Sequence, residues 1–314
     1  MSFDLIGVGE AMVELFADRP LGEAASLTRG WGGDVLNALV TAADLGGRTG
    51  LVTRIGDDPF GPDLRRLCRE RGVDTAHAPL LPGENGVYFI SVDARGEREF
   101  TYRRAGSAAS TLDPRDLDAE YLACARVLLL SGITQAISGA AQAATLEAAR
   151  VARAAGVTVA FDPNYRPALW APRGGEAAAR AAWEDLAPFV DVLLPSFPAD
   201  LPALGLGGAA TPARPLDILR ARVPLVALKA AERGVSLGWS EGGVQHVPAA
   251  PVAVLDSTGA GDAWNGAFLL GLARELFPLQ AAQAAHRASA RVLTCRGALP
   301  PRSPAPLPLA QEAP

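Results

Sequence analysis

Short, almost wholly apolar runs, separated by stretches of helical period, limit most strongly what this chain can become. They fall at residues 3–9, 50–56, 126–133, 157–161, 190–195 and 224–228. Each is too short for a usual core helix and too continuous for a strand with one wet face, so each must be covered on both sides. Helical patterns lie between and beyond them, notably at 34–46, 140–155 and 279–295. Alternation of this kind folds as a parallel sheet with helices on both faces. The expectation is a three-layer α/β/α doubly wound sheet from Phe3 to Gly297, forming one domain over residues 1–302. Residues 303–314, rich in proline and poor in hydrophobic pattern, are expected to be a flexible tail.

Two early segments do not fit the alternation. Residues 12–16 continue as an extended stretch, and 86–92 with 99–104 flank 93–96 as a β-hairpin. Alternation puts Tyr88, Ile90 and Val92 on one face, and Tyr102 and Arg104 on one face of the partner strand. A small separate sheet built from about 11–31 and 86–104 follows from these insertions.

Chemistry concentrates in the string Asp256-Ser257-Thr258-Gly259-Ala260-Gly261-Asp262. A hydroxyl pair, two glycines and then an apolar helical pattern predict a helix opened by the N–H groups of 259–261. Four N–H groups at such an end lack intrahelical partners, the dipole adds positive charge, and glycines let an anion approach closely. A carboxylate at Asp262 inside an anion site makes sense where a hydroxyl must be oriented or deprotonated as it attacks phosphorus. Read from the residues alone, an ordinary capped helix remains open.

Other polar groups stand where sheet ligands bind. Asp34 and Asn37 lie three apart at the start of the helix after Gly32-Gly33, able to hold hydroxyls or merely to cap. Asn164 and Arg166 follow the 157–161 strand. Lys229 is the only lysine beside 28 arginines. The Gly7-x-Gly9 pair lacks a third glycine, since Met12 stands there, and no dinucleotide site follows.

Composition excludes several classes. A net charge of −5 with scattered basic residues gives no nucleic-acid surface. Cys68, Cys124 and Cys295 have no metal-type spacing and read as reduced thiols. No signal peptide or membrane-length apolar run is present, so a cytoplasmic protein without membrane attachment is expected.

The 256–262 string, Gly32-Gly33-Asp34-x-Leu-Asn37, Asp162-x-Asn164-x-Arg166 followed by Pro167-x-Leu169-Trp170, and the loop 229–235 together resemble the ribokinase-like (PfkB) carbohydrate kinases. The resemblance implies a ribokinase-like fold with the small sheet as a lid, and ATP-dependent phosphorylation of a sugar. Asp262 would be the base, with Gly259, Ala260, Gly261 and Arg166 beside the transferred phosphoryl. Gly33, Asp34, Asn37, Tyr88, Tyr102, Arg104 and Arg166 would hold the sugar; Asn164, Ser196, Lys229, Ala231, Gly234, Gly259 and Gly261 would hold the nucleotide. Magnesium would come with ATP, and a monovalent cation such as potassium would sit at Asp256 and Ser257. Homo-oligomers, as dimers through the lid or larger, are also implied. The motif forms are nearest the subgroup acting on 2-keto-3-deoxygluconate; a fructose or ribose kinase is the alternative, and a non-catalytic sugar-binding relative the remote one. Three departures stand out. Ser257 replaces a usual Thr, Ala231 a usual Gly, and the usual metal-associated Asn-x-x-Glu is absent after residue 195, leaving Asp200 as a possible substitute.

Overall fold

The computed structural model describes residues 2–93, 98–302 and 309. Residues 94–96 of the expected hairpin turn and, Leu309 apart, the 303–314 tail lie outside the described residues. In chain order the strands are β1 (Phe3–Val8), β2 (Met12–Phe16), β3 (Thr28–Gly32), β4 (Thr49–Val52), β5 (Ile55–Gly56), β6 (Val73–Asp74), β7 (Leu80–Leu81), β8 (Gly86–Val92) and β9 (Arg98–Arg103). They continue as β10 (Ala125–Ser131), β11 (Thr158–Asp162), β12 (Val192–Leu193), β13 (Leu225–Lys229), β14 (Val235–Trp239) and β15 (Val244–Val247).

Among the described residues, the central sheet has the order β15-β14-β13-β12-β11-β10-β1-β4-β6. From β13 through β6 every pairing is parallel. Alternate side chains go to opposite faces: Leu5, Val127 and Leu129 enter one core, while Ile6, Val8, Leu128 and Leu130 enter the other. Helices Asp34–Asp44, Ala260–Ala273 and Pro278–Leu293 cover the first face; Gly139–Ala154, Gly175–Leu186 and Ala213–Arg220 cover the second. A fully buried Leu or Phe in such a layer contributes about 1.5–3 kcal/mol. No helix among the described residues is long and apolar enough to cross a membrane.

The sheet departs from the all-parallel expectation at one edge. β13, β14 and β15 pair antiparallel, because short turns at 230–234 and 240–243 return the chain at once, leaving no room for a crossover helix. A second sheet, β3-β2-β8-β9, stands apart from the first, with β2 parallel to β8 and the other pairings antiparallel.

One feature of the order locates the site. The chain runs from β1 toward β4 and β6, then returns to the other side of β1 as β10 and β11. Carboxyl ends of strands beside such a reversal leave a crevice where ligands bind. Glu10 follows β1, Ser131 ends β10 and Asp162 ends β11.

Candidate active site

Two cavities meet over that crevice. One, of about 700 Å³, runs along the helix Pro278–Leu293 and is lined by Ala231, Gly234, Val254, Trp264, His286 and Ser289 among others. The second, of about 530 Å³, lies under the small sheet and is lined by Asp34, Asn37, Tyr102, Arg104, Asn164 and Arg166 among others. Ser196, Lys229, Ser257 and Gly261 line both. The cavities therefore share a junction at the N-terminus of the helix Ala260–Ala273.

That N-terminus is shaped by its glycines. Gly259 is the residue before the helix, at φ 74°, and a Cβ there would lie 2.9 Å from Ala298. Only glycine turns the chain this way without strain. Gly261 has ordinary backbone angles, and a Cβ there would meet nothing within 4 Å. Neither hydroxyl caps the helix, against expectation. Asp256 takes that organising role: its carboxylate accepts from Thr258 N–H (2.9 Å) and Gly297 N–H (2.7 Å). Ala260 N–H turns back toward the Ser257 carbonyl (3.3 Å), while the N–H groups of Gly259 and Gly261, residues that line the cavity under the small sheet, have no backbone partner among the described residues.

Asp262 lies on the side of the cavity under the small sheet, partly open to it. Asn37 donates to its Oδ2 (2.8 Å), so Asn37 orients a carboxylate as well as lining the cavity. The two helices that carry these residues touch closely, since a Cβ on Gly266 would sit 2.0 Å from the Ala38 carbonyl oxygen. Burial, then the charge of Asp34, pushes the Asp262 carboxyl up to about 7, while the Asn37 amide pulls it down. A base poised near neutrality suits proton removal. Since only the ionised form accepts a proton, log kcat/KM should fall below about pH 7, and Asp34→Asn should move that limb to lower pH by removing a like charge. A limb that stays in place would disconnect Asp34 from Asp262; pH profiles of both enzymes decide it.

Asp34 is held by the Ser131 hydroxyl and by Asn164 Nδ2 (3.2 Å), while its Oδ1 is buried without a partner. Asn164 lines the cavity under the small sheet and not the one along the helix Pro278–Leu293. Its φ of 37° and its N–H bond to Asp162 (3.1 Å) turn it toward Asp34. Lys229 sits at the junction, donating to Asn265 Oδ1 (2.8 Å) and facing Asp162 Oδ2 (3.4 Å), while Asn265 Nδ2 donates to the same Asp162 oxygen (2.5 Å). Asp162 and Asn265 were missed in the sequence. Asp162 ends a buried strand at the carboxyl edge, which is the signal that finds it.

Other residues named from the sequence have surroundings that only the structure shows. Tyr88 lines the cavity under the small sheet but is 5% exposed, and its hydroxyl donates to Glu14 Oε2 (2.5 Å). Arg104 stacks over Tyr102 (4.3 Å) and pairs with Glu10, a buried carboxylate just past β1 that sequence reasoning also missed. Burial pushes Glu10 up to about 7 against the pull of Arg104. Arg166 is exposed at the cavity and has no acidic partner among the described residues. Asp200 is 1% exposed and accepts from Tyr165 N–H and Ser196 N–H (2.7 Å each), so it ties two loops together.

Ala231, Gly234 and Ser196 line the cavity along the helix Pro278–Leu293. Ala231 adopts φ 49° although it is not glycine. A left-handed alanine costs about 1–2 kcal/mol, part of which glycine returns through its looser unfolded chain. Ala231→Gly is thus expected to leave stability unchanged or raise it by up to about 1 kcal/mol; a lower denaturant midpoint would show that alanine makes a contact outweighing the strain.

A family model described as pfkB family carbohydrate kinase matches residues 2–306. The chain is 34% identical over 299 residues to a 2-dehydro-3-deoxygluconokinase of Thermoproteus tenax, covering 93% of this chain and 89% of the relative. It is 32% identical over 278 residues to a 5-dehydro-2-deoxygluconokinase of Shouchella clausii, covering 87% and 84%. Among solved structures, a PfkB protein from Polaromonas is 30% identical with a TM-score of 0.83, covering 92% of this chain and 95% of that one.

Proposed function

The chain belongs to the pfkB family of carbohydrate kinases and is an ATP-dependent sugar kinase with the ribokinase-like fold; from that premise we propose that its substrate is 2-keto-3-deoxygluconate, phosphorylated on the terminal hydroxyl. The observation that carries the reading is the junction: two cavities, one helix N-terminus between them, and Asp262 lining only the cavity under the small sheet. The larger cavity has the volume for ATP, with its phosphates directed at Gly259 and Gly261. Asp262 orients the sugar hydroxyl and takes its proton, and the N–H groups of Gly259 and Gly261 hold charge developing on the phosphoryl oxygens. Lys229 adds a fixed positive charge between the two ligands. Placement and electrostatics of this kind supply most of the acceleration in phosphoryl transfer.

Among the described residues, no group of three or more His, Cys, Asp or Glu side chains converges on a metal-sized site. That donor set fits magnesium carried on the nucleotide phosphates better than magnesium in a protein cage. Carried so, the ion neutralises phosphate charge.

Support for an acidic sugar comes from Arg166. Its guanidinium borders the cavity free of any acidic partner among the described residues, whereas the Arg104 charge is met by Glu10. Hydrogen bonds to a charged group contribute about 1.5–3 kcal/mol, or roughly 10- to 150-fold in affinity. In a coupled assay of ADP release, Arg166→Leu should therefore lower kcat/KM for 2-keto-3-deoxygluconate by that factor beyond its effect on fructose, the loss shared by both sugars reporting the guanidinium's part beside the phosphoryl group. A wild type that prefers fructose or ribose would overturn the acidic-sugar assignment, as would a variant equally impaired on both, and the kinase assignment would stand. Preference for 5-dehydro-2-deoxygluconate would keep the carboxylate role and move the keto group.

A further inference from the structure

The monovalent cation that the family resemblance places at Asp256 and Ser257 does not fit the residues found there. Asp256 is 2% exposed, and its carboxylate already accepts two backbone N–H groups, from Thr258 and Gly297. The same carboxylate forms an ion pair with Arg98, which reaches across from β9 of the small sheet. Arg98 Nη2 also donates to the Leu255 carbonyl (3.2 Å), the neighbouring oxygen that a cation would need. The carboxylate and that carbonyl thus face one guanidinium. A second guanidinium, Arg296, is close enough that it, after burial, pulls Arg98 below its usual range. Glu14 pulls the other way, so the two guanidiniums already balance the carboxylates of Asp256 and Glu14.

We infer that Arg98 takes the place of the monovalent cation beside Asp256, so that phosphoryl transfer by this chain needs no added potassium. Asp256 holds Thr258 and Gly297, and Ala298 presses against Gly259, so the charge facing Asp256 fixes the turn that aims the Gly259 and Gly261 N–H groups. Arg98 is a positioning residue in this arrangement. It lines neither cavity, and it reaches Asp256 from the first residue of β9. The inference rests on the anion-site reading of residues 259–261 and is independent of which sugar is used.

The test uses the full chain in a buffer whose only cations are tetramethylammonium and magnesium, with potassium added from zero to 100 mM. Wild-type kcat is expected to change less than about twofold, and its melting temperature not to respond to potassium. Arg98→Ser is expected to lose kcat about tenfold or more, to regain part of it with potassium or millimolar guanidinium, and to gain a melting temperature that rises with potassium. Arg98→Lys, which keeps a charge on the strand, should remain insensitive to potassium and covers the case in which the serine variant folds poorly. Tenfold activation of wild type by potassium would overturn the inference. So would a serine variant that keeps full activity without any added cation, or one that neither ion rescues. Melting responses do not depend on turnover, so a failure here is separable from a failure of the anion-site reading.

Discussion

Asp262→Asn should bind ATP about as tightly as the wild type and turn over roughly 10²–10⁴-fold more slowly, the range for removing a positioned acid–base group. The substitution keeps shape and an oxygen that can still accept from Asn37. It removes the only property the mechanism uses, a carboxylate able to take the proton of the attacking hydroxyl. Folding should not suffer. The wild-type carboxyl is pushed up to about 7 chiefly by burial and by Asp34, so a neutral amide relieves an unfavourable charge. Steady-state kinetics, calorimetric nucleotide binding and a melting curve separate these effects. Turnover within a few-fold of wild type would take the base role from Asp262, and loss of ATP binding with a lowered melting temperature would make it structural.

Gly261→Val should lose turnover by at least roughly 10²–10³-fold, the cost of removing one oxyanion donor, yet remain folded. The residue has ordinary backbone angles, a Cβ there meets nothing within 4 Å, and valine suits a helix better than glycine. Its branched side chain would stand in the junction shared by both cavities and deny phosphate the approach to the N–H groups. Gly259→Val is the contrasting control: at φ 74° and against Ala298 it should unfold more readily. If Gly261→Val keeps both ATP affinity and turnover, the anion site is elsewhere.

Much of this was legible in the sequence because the signals are local. Continuous apolar runs give β1, β4, β10, β11 and β13, and the string at 256–262 gives a glycine-opened helix with a carboxylate in its first turn. Side-chain commitments were not legible, because partners lie far apart in the chain. Arg104 meets Glu10 across 94 positions, Tyr88 meets Glu14 across 74, and Arg98 meets Asp256 across 158. No periodicity in one segment tells whether a distant strand will spend its charge or its hydroxyl. Glu10 and Asp162 are different: both stand at strand ends beside the reversal of strand order, and attention to that edge finds them. The antiparallel edge β14–β15 was missed because its outer strand is largely exposed and carries no run of buried apolar residues.

The walls of the sugar cavity come from almost the whole length of the chain, from Glu10 and Met12 through Arg104, Asp162 and Lys229 to Asp262. On the proposed reading no short fragment can hold the sugar, so a sugar bound there would report the complete native topology. Its binding free energy should add to global stability, about 2.7 kcal/mol at a hundred times Kd, and should slow hydrogen exchange in the deepest strands as much as in the cavity walls. It also means that a nascent chain gains nothing from substrate until residue 262 has emerged, whereas a finished one is protected by its own metabolite.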